Sequence, residues 1–109
     1  MTTITVLITN KREYKRLICE GHSGYAESGE DIVCCAISVL VINTINALDQ
    51  LTDNKIRVLE DPDKALIDVE FTEIPDDKGV LLMDSLMLGL KSIQEEYGRR
   101  FLTIKYREV

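Results

Sequence analysis

An apolar stretch without a charged residue, from Ile32 to Leu48, constrains this chain more than any other feature. Such a stretch has to be hidden from water, either in a lipid bilayer or in a protein core. It falls short of the roughly 20 apolar residues that a membrane span requires. Polar side chains also interrupt it, namely Ser38, Asn43, Thr44 and Asn46. We therefore predict a buried core helix and no membrane contact.

The ends of this helix can be read from the flanking residues. Asp31 is one candidate N-cap, and Ser28 is another, with Asp31 three residues later completing a capping box. The pattern continues to about Leu51, before Asp53 and Asn54 end it. A second helix is predicted after Pro75, with Gly98 as its C-terminal stop.

The remaining segments have the patterns of short strands. They are residues 3–9, 14–20, 55–59, 65–71 and 100–107. A polar turn at 10–13 makes the first two a hairpin, and the turn sequence Asp61-Pro62-Asp63-Lys64 joins the third and fourth. The order β-β-α-β-β-α-β predicts an α+β fold, in which a small, mostly antiparallel sheet is covered by two long helices. A chain of 109 residues suits a single domain, residues 1–109.

Both helices carry more apolar residues than one buried face needs. In the first helix the surplus is at Ile37, Val39, Leu40, Val41 and Ile42. In the second it is at Val80, Leu81, Leu82, Met83, Leu86, Met87, Leu88 and Leu90. A helix that is apolar on two sides in so small a protein needs a second partner surface. We predict a homodimer through helical surface, the alternative being one helix enclosed within a monomer.

The net charge limits what the protein can bind, and the cysteine content indicates the cellular compartment in which it is found. Thirteen basic against nineteen acidic residues give a net charge of -6, which disfavours direct nucleic-acid binding because that needs clustered positive charge. Three cysteines cannot all pair within one chain, and two of them are adjacent. With no signal peptide pattern at the N-terminus, we expect a reduced, cytoplasmic protein.

The segment 21–38 holds the residues suited to chemistry. His22, the only histidine, lies in a glycine-bounded loop, and Cys34 and Cys35 follow at the start of the long helix. Unpaired amides and the dipole at a helix start favour a thiolate, and a nearby imidazole completes an activated Cys–His pair. Either thiol fits by spacing. The same helical amides are candidates to stabilise an oxyanion.

Helical spacing places Asp31, Cys34, Cys35 and Ser38 on one face. Asp31 can orient His22 or hold the loop by capping, and Ser38 can bond to the thiolate or back to the helix carbonyl one turn earlier.

Less specific interpretations compete with a thiol enzyme. A buried cysteine is usually a small inert apolar residue, which is how we interpret Cys19. A glycine-rich loop before a helix can bind phosphate, but acidic residues crowd this one. Zinc ligation by Cys19, His22 and one of the paired cysteines lacks the usual ligand spacing. We predict no metal and no cofactor.

The string Gly21-His22-Ser23-Gly24-Tyr25, followed after five residues by Asp31-Ile32-Val33-Cys34-Cys35-Ala36-Ile37-Ser38, resembles the signature of the ribosomal-processing cysteine protease family, Prp. Length and element order agree along the rest of the chain. By position, the resemblance implies that Cys34 is the nucleophile, since it follows Asp31-Ile32-Val33. It also implies that His22 is the general base and that Asp31 and Ser38 support them. We predict that the loop residues Gly21, Ser23, Gly24 and Tyr25 contact substrate.

The resemblance further implies a substrate. Family members are expected to remove an N-terminal extension from ribosomal protein twenty-seven of the large subunit, cutting after aromatic residues, and to act as homodimers with a mobile loop over the site. Two positions depart from the family pattern, because Cys35 stands where a small residue such as alanine is expected and Ser23 where alanine is common. We expect Cys35 to be a spectator. The alternative function is a non-enzymatic, acidic, ribosome-associated module that binds a basic ribosomal protein.

Overall fold

The computed structural model describes residues 1–27 and 31–109. The elements follow the predicted order: β1 Thr2–Ile8, β2 Tyr14–Glu20, α1 Ile32–Leu51, β3 Ile56–Asp61, β4 Leu66–Phe71, α2 Asp77–Tyr97 and β5 Leu102–Glu108. The turn between β3 and β4 is a short 3₁₀ helix, Pro62–Lys64, and it begins one residue later than predicted. The reason is that Asp61 still pairs with Leu66 while its side chain caps the turn.

The five strands form one sheet in the order β3-β4-β2-β1-β5. The pairs β1–β2, β2–β4 and β3–β4 are antiparallel, and β5 runs parallel to β1. The direction of β5 follows from α2, which carries the chain back from β4 before β5 begins. The predicted α+β class with a mostly antiparallel sheet and two long helices is confirmed.

Each long helix begins at an aspartate that caps it. The carboxylate of Asp31 accepts the backbone N–H of Cys34, and that of Asp76 accepts the N–H of Gly79, both at 2.9 Å. Of the two predicted caps for α1, Asp31 is therefore in place, and Ser28 lies outside the described residues. Gly98 ends α2 with φ of +109°, a conformation that favours glycine, as predicted.

One face of α1 is buried in the hydrophobic core. Among the described helices, α1 has the length and apolar composition that would also suit a membrane span. Its buried residues recur at helical spacing and pack with the apolar residues of the sheet and of α2: Val33, Ile37, Val41, Ile45 and Leu48. This is the arrangement predicted for a core helix.

Candidate active site

A cleft of about 610 Å³ opens between the start of α1 and the β3–β4 hairpin. It brings together side chains that are separated in sequence, and its lining includes His22, Asp31, Cys34, Cys35 and Ser38. The sequence-predicted site residues on the loop and on the helix therefore share one cavity. Its walls are mainly apolar, so the cavity can take apolar groups of a ligand.

The two adjacent thiols occupy different environments. Cys34 is half-buried, and its sulfur accepts the backbone N–H of Ser23 at 3.0 Å. Cys35 is exposed at the rim of the same cleft. The loop thus reaches back onto Cys34 and supplies a hydrogen-bond donor to its sulfur, which is the kind of contact that suits a thiolate.

The loop can approach the helix so closely because two glycines shape it. Gly21 has φ of +87° and Gly24 has φ of +77°. A Cβ atom on Gly21 would lie 2.7 Å from the carbonyl oxygen of Met1, so the position has no room for a side chain. His22, exposed at the cleft, is carried between these two turns.

The buried carboxylate of Asp31 joins the loop to the helix. In addition to capping α1, it accepts the hydroxyl of Ser23 at 2.5 Å and the backbone N–H of Tyr25 at 3.2 Å. Burial raises the pKa of Asp31, but the hydrogen bonds from Ser23 and from the amides of Cys34 and Ala26 outweigh it and lower the pKa to about 2. Within the described residues Asp31 holds the loop and makes no hydrogen bond to His22.

The amides of the two cysteines at the start of α1 are already engaged. The N–H of Cys34 donates to the Asp31 side chain, and the N–H of Cys35 donates to the Asp31 carbonyl at 3.1 Å. The amide that points at the sulfur is that of Ser23, in the loop. Sequence reasoning missed this donor, because a backbone group leaves no signal in the residue types.

Cys19 lies on β2 in the wall of the same cleft. Burial, followed by the proximity of Cys34 and Glu20, raises the pKa of this thiol to about 11. At neutral pH it is therefore an uncharged apolar group beside Cys34. This agrees with its interpretation as a structural residue.

The opposite wall of the cleft was not predicted. It consists of residues from the β3–β4 hairpin, namely Glu60, Pro62, Ala65, Leu66 and Ile67. They face the α1 start because β4 pairs with β2, with Ile67 opposite Cys19. No local pattern signals this long-range pairing.

Two predicted site residues have contacts that the sequence did not suggest. Ser23 is only 2% exposed, and its hydroxyl donates a hydrogen bond to the carboxylate of Asp31. Tyr25 places its ring against Tyr97 and Phe101.

Ser38 is half-buried in the cleft lining. In the part of the chain that the structure describes, neither Ser38 nor His22 hydrogen-bonds to the Cys34 sulfur. Over those same residues, no group of three or more potential metal ligands is close enough to hold an ion.

Comparison with known proteins identifies the family. The family model described as cysteine protease Prp matches residues 1–101. The chain belongs to the cysteine protease Prp family. It is therefore a cysteine protease, and the resemblance drawn from the segment 21–38 is confirmed.

Curated relatives of this Prp chain bear the name ribosomal processing cysteine protease Prp. The protein of Staphylococcus aureus strain NCTC 8325 is 25% identical over 98 residues, covering 90% of this chain and 92% of its own. The protein of Bacillus subtilis strain 168 is 28% identical over 81 residues, covering 71% and 72%. The similarity to each relative thus extends over most of this chain and most of the relative.

Solved structures share the Prp fold seen here. Prp from S. aureus, crystallised with a covalently linked product peptide, superposes with a TM-score of 0.92 at 23% identity, covering 98% of this chain and all of that one. A Streptococcus mutans protein gives a TM-score of 0.85 at 29% identity, covering 100% and 96%. The two-helix, five-strand arrangement is thus common to these proteins.

Proposed function

We propose that this single domain, residues 1–109, is a cytoplasmic endopeptidase that uses Cys34 as nucleophile and His22 as general base. Its substrate in this proposal is the N-terminal extension of ribosomal protein twenty-seven of the large subunit. The observation that carries the assignment is the contact between the Ser23 amide and the Cys34 sulfur, in a cleft that also contains the only histidine. Asp31 and Ser38 have supporting roles, and no metal or cofactor takes part.

The reaction in this proposal is acyl transfer through a thioester. His22 takes the proton of the Cys34 thiol, and the thiolate attacks the scissile carbonyl carbon to form a C–S bond and an oxyanion. The intermediate collapses, the C–N bond breaks, and His22 protonates the leaving amine. Water then attacks the thioester with His22 as base, which releases the new carboxylate and regenerates the Cys34 thiol.

Stabilisation of the oxyanion is assigned to the loop. Because the Cys34 and Cys35 amides are bonded to Asp31, the Ser23 N–H at 3.0 Å from the sulfur is the donor best placed for a developing charge next to it. Gly21, Ser23, Gly24 and Tyr25 are proposed to form the substrate-facing loop, in which the ring of Tyr25 packs against Tyr97 and Phe101 rather than against substrate. Cys35 is proposed to be a spectator, because the Ser23 amide donates to the sulfur of Cys34 instead.

The choice of substrate rests on the names of the curated relatives together with charge. The relatives are described as ribosomal processing proteases. A net charge of -6 favours encounter with a basic protein and disfavours direct contact with RNA. Both favour a basic ribosomal protein over ribosomal RNA, and the family resemblance selects the precursor of ribosomal protein twenty-seven as the partner that we propose.

Cleavage of a synthetic peptide that spans the extension and the first residues of the mature protein tests this function. We expect one cut, after an aromatic residue, as the family resemblance implies; the mainly apolar lining of the cleft is compatible with such a side chain. Mass spectrometry of the products identifies the bond. A peptide of the same composition in scrambled order serves as control and should stay intact.

Binding of the peptide without cleavage would contradict the proposal and would support a ribosome-associated binding module instead. The membership in a protease family argues for the enzyme. Cleavage of the scrambled peptide at a similar rate would reject the substrate while leaving the protease in place.

We also propose that two copies of the chain associate through the helical layer. Neither helix is enclosed in the monomer, since Val39 of α1 is 65% exposed and Leu88 of α2 is 70% exposed. Ile42 and Leu81 are exposed as well, on the same two helices. In this proposal a symmetric copy covers these exposed apolar side chains.

Analytical ultracentrifugation at micromolar concentration is expected to give the mass of a dimer. Leu88→Lys should shift the sample to monomer, because a lysine at a buried interface leaves an unpaired charge. Leu59→Lys is the matched control, since Leu59 is exposed on β3 and not on either helix, and it should remain dimeric. A monomer mass for the unmodified chain would refute the association.

A further inference from the structure

Tyr25 attaches the site loop to a distant part of the chain. Its ring centroid lies 5.4 Å from that of Tyr97 at an interplanar angle of 81°, and 5.2 Å from that of Phe101 at 72°. Both are edge-to-face arrangements, which aromatic rings favour because the positive edge of one meets the negative face of the other. Tyr97 ends α2 and Phe101 precedes β5, so the contact joins the loop to the α2–β5 corner.

The aromatic contact is reinforced on both sides. The guanidinium of Arg100 lies 4.7 Å from the centroid of the Phe101 ring, a cation–π distance that restrains this ring. On the loop side, the backbone N–H of Tyr25 donates to the Asp31 carboxylate at 3.2 Å. One residue therefore fastens the loop to the start of α1 through its backbone and to the α2–β5 corner through its ring.

The position of Tyr25 links this attachment to the reacting thiol. Ser23, two residues earlier, donates its amide to the Cys34 sulfur, and His22 precedes it. Gly21 and Gly24, both at positive φ, lie on either side of these two residues and give the loop wide conformational freedom when it is not held. Ordering such a segment costs conformational entropy, which the contacts of Tyr25 offset.

We propose that Tyr25 is a positioning residue: its ring, seated on Tyr97 and Phe101, keeps the Ser23 amide on the Cys34 sulfur and keeps His22 at the cleft. The proposal rests on the proposed function of Cys34 and His22. Tyr25 acts through its neighbours and does not touch the reacting atoms. We assign this role to the ring, because the contacts with Tyr97 and Phe101 are made by the ring.

Substitutions of Tyr25 separate the ring from the hydroxyl. Tyr25→Ala should lower kcat roughly tenfold with little change in KM, since two aromatic contacts are lost. Tyr25→Phe retains both contacts and should restore the wild-type rate. Tyr106→Ala is the matched control, because Tyr106 has the same exposed fraction of 43% but lies on β5 against Lys91. It should leave kcat unchanged.

Hydrogen exchange gives a readout that does not depend on catalysis. Tyr25→Ala should raise amide exchange in residues 21–27. Phe101→Ala should raise it less and add nothing in the double variant, because Tyr25→Ala already removes the contact with Phe101. Wild-type exchange and kcat in Tyr25→Ala, or a rise in KM alone, would overturn the proposal. Cleavage that survives Cys34→Ala would reject the proposed function instead, and leaves the exchange experiment intact.

Discussion

Replacing Cys34 by alanine is expected to reduce peptide cleavage by at least roughly a thousandfold, whereas Cys35→Ala should remain within about twofold of the wild-type rate. The sulfur of Cys34 accepts a hydrogen bond from the Ser23 amide inside the cleft. Among the described residues, no other cysteine sulfur accepts this hydrogen bond. Cys35 differs in exposure although it is the next residue on the helix. Initial rates on the extension peptide, measured by chromatography, provide the comparison.

His22→Ala should lower the rate by about 10²- to 10⁴-fold, which is the usual contribution of a general base. Alkylation by iodoacetamide then connects the two residues. In a Cys35→Ala background the thiols are Cys34 and Cys19, and Cys19 is buried with its pKa raised to about 11, so modification reports Cys34. His22→Ala in that background should slow alkylation. Full activity in Cys34→Ala, or loss of activity only in Cys35→Ala, would overturn the assignment.

The adjacency of the two cysteines explains why helical spacing left the nucleophile open. Consecutive residues on a helix point about 100° apart, so both can reach a cavity at its start. The structure distinguishes the two thiols because the amide of Ser23 donates a hydrogen bond to the sulfur of Cys34 and not to that of Cys35. That contact depends on the path of a loop between two glycines at positive φ, and residue types alone do not encode such a path. Position within the family motif, rather than spacing, was what selected Cys34.

Local signals predicted the elements of the fold well. Threonines alternating with Ile4, Val6 and Ile8 marked β1, and Gly98 marked the end of α2. The pairing of β4 with β2 could not be obtained in this way, because strand patterns carry no information about which strand lies beside which. Two features of the site follow from such long-range placement. One is the hairpin wall of the cleft, with Ile67 opposite Cys19, and the other is the packing of Tyr25 against Tyr97 and Phe101. Sequence reasoning thus located the loop and helix side of the site and missed the rest.

Asp31→Ala is expected to lower both stability and activity, because one buried carboxylate caps α1 and also holds the loop. The pKa of Asp31 is about 2 in the folded chain against 3.8 for the ordinary group, which corresponds to about 2 kcal/mol of folding free energy at neutral pH. Since folding lowers this pKa, the stabilisation is fully present above about pH 4 to 5 and is lost as pH falls from 3.8 towards 2. Urea unfolding of wild type and Asp31→Ala should therefore differ most at pH 7 and converge near pH 2.

Asp76 offers the matched control for this prediction. It caps α2 with a bond of 2.9 Å to Gly79, the same distance as the bond from Asp31 to Cys34, but it is far along the chain from the cleft lining. Asp76→Ala should destabilise the fold through the lost cap while leaving kcat and Cys34 alkylation at wild-type values, whereas Asp31→Ala should lower both at temperatures where each variant is folded. Asp31→Asn retains a capping oxygen and should recover part of the stability. Equal activity in the Asp31→Ala and Asp76→Ala variants would mean that the contacts of Asp31 with Ser23 and Tyr25 serve folding alone.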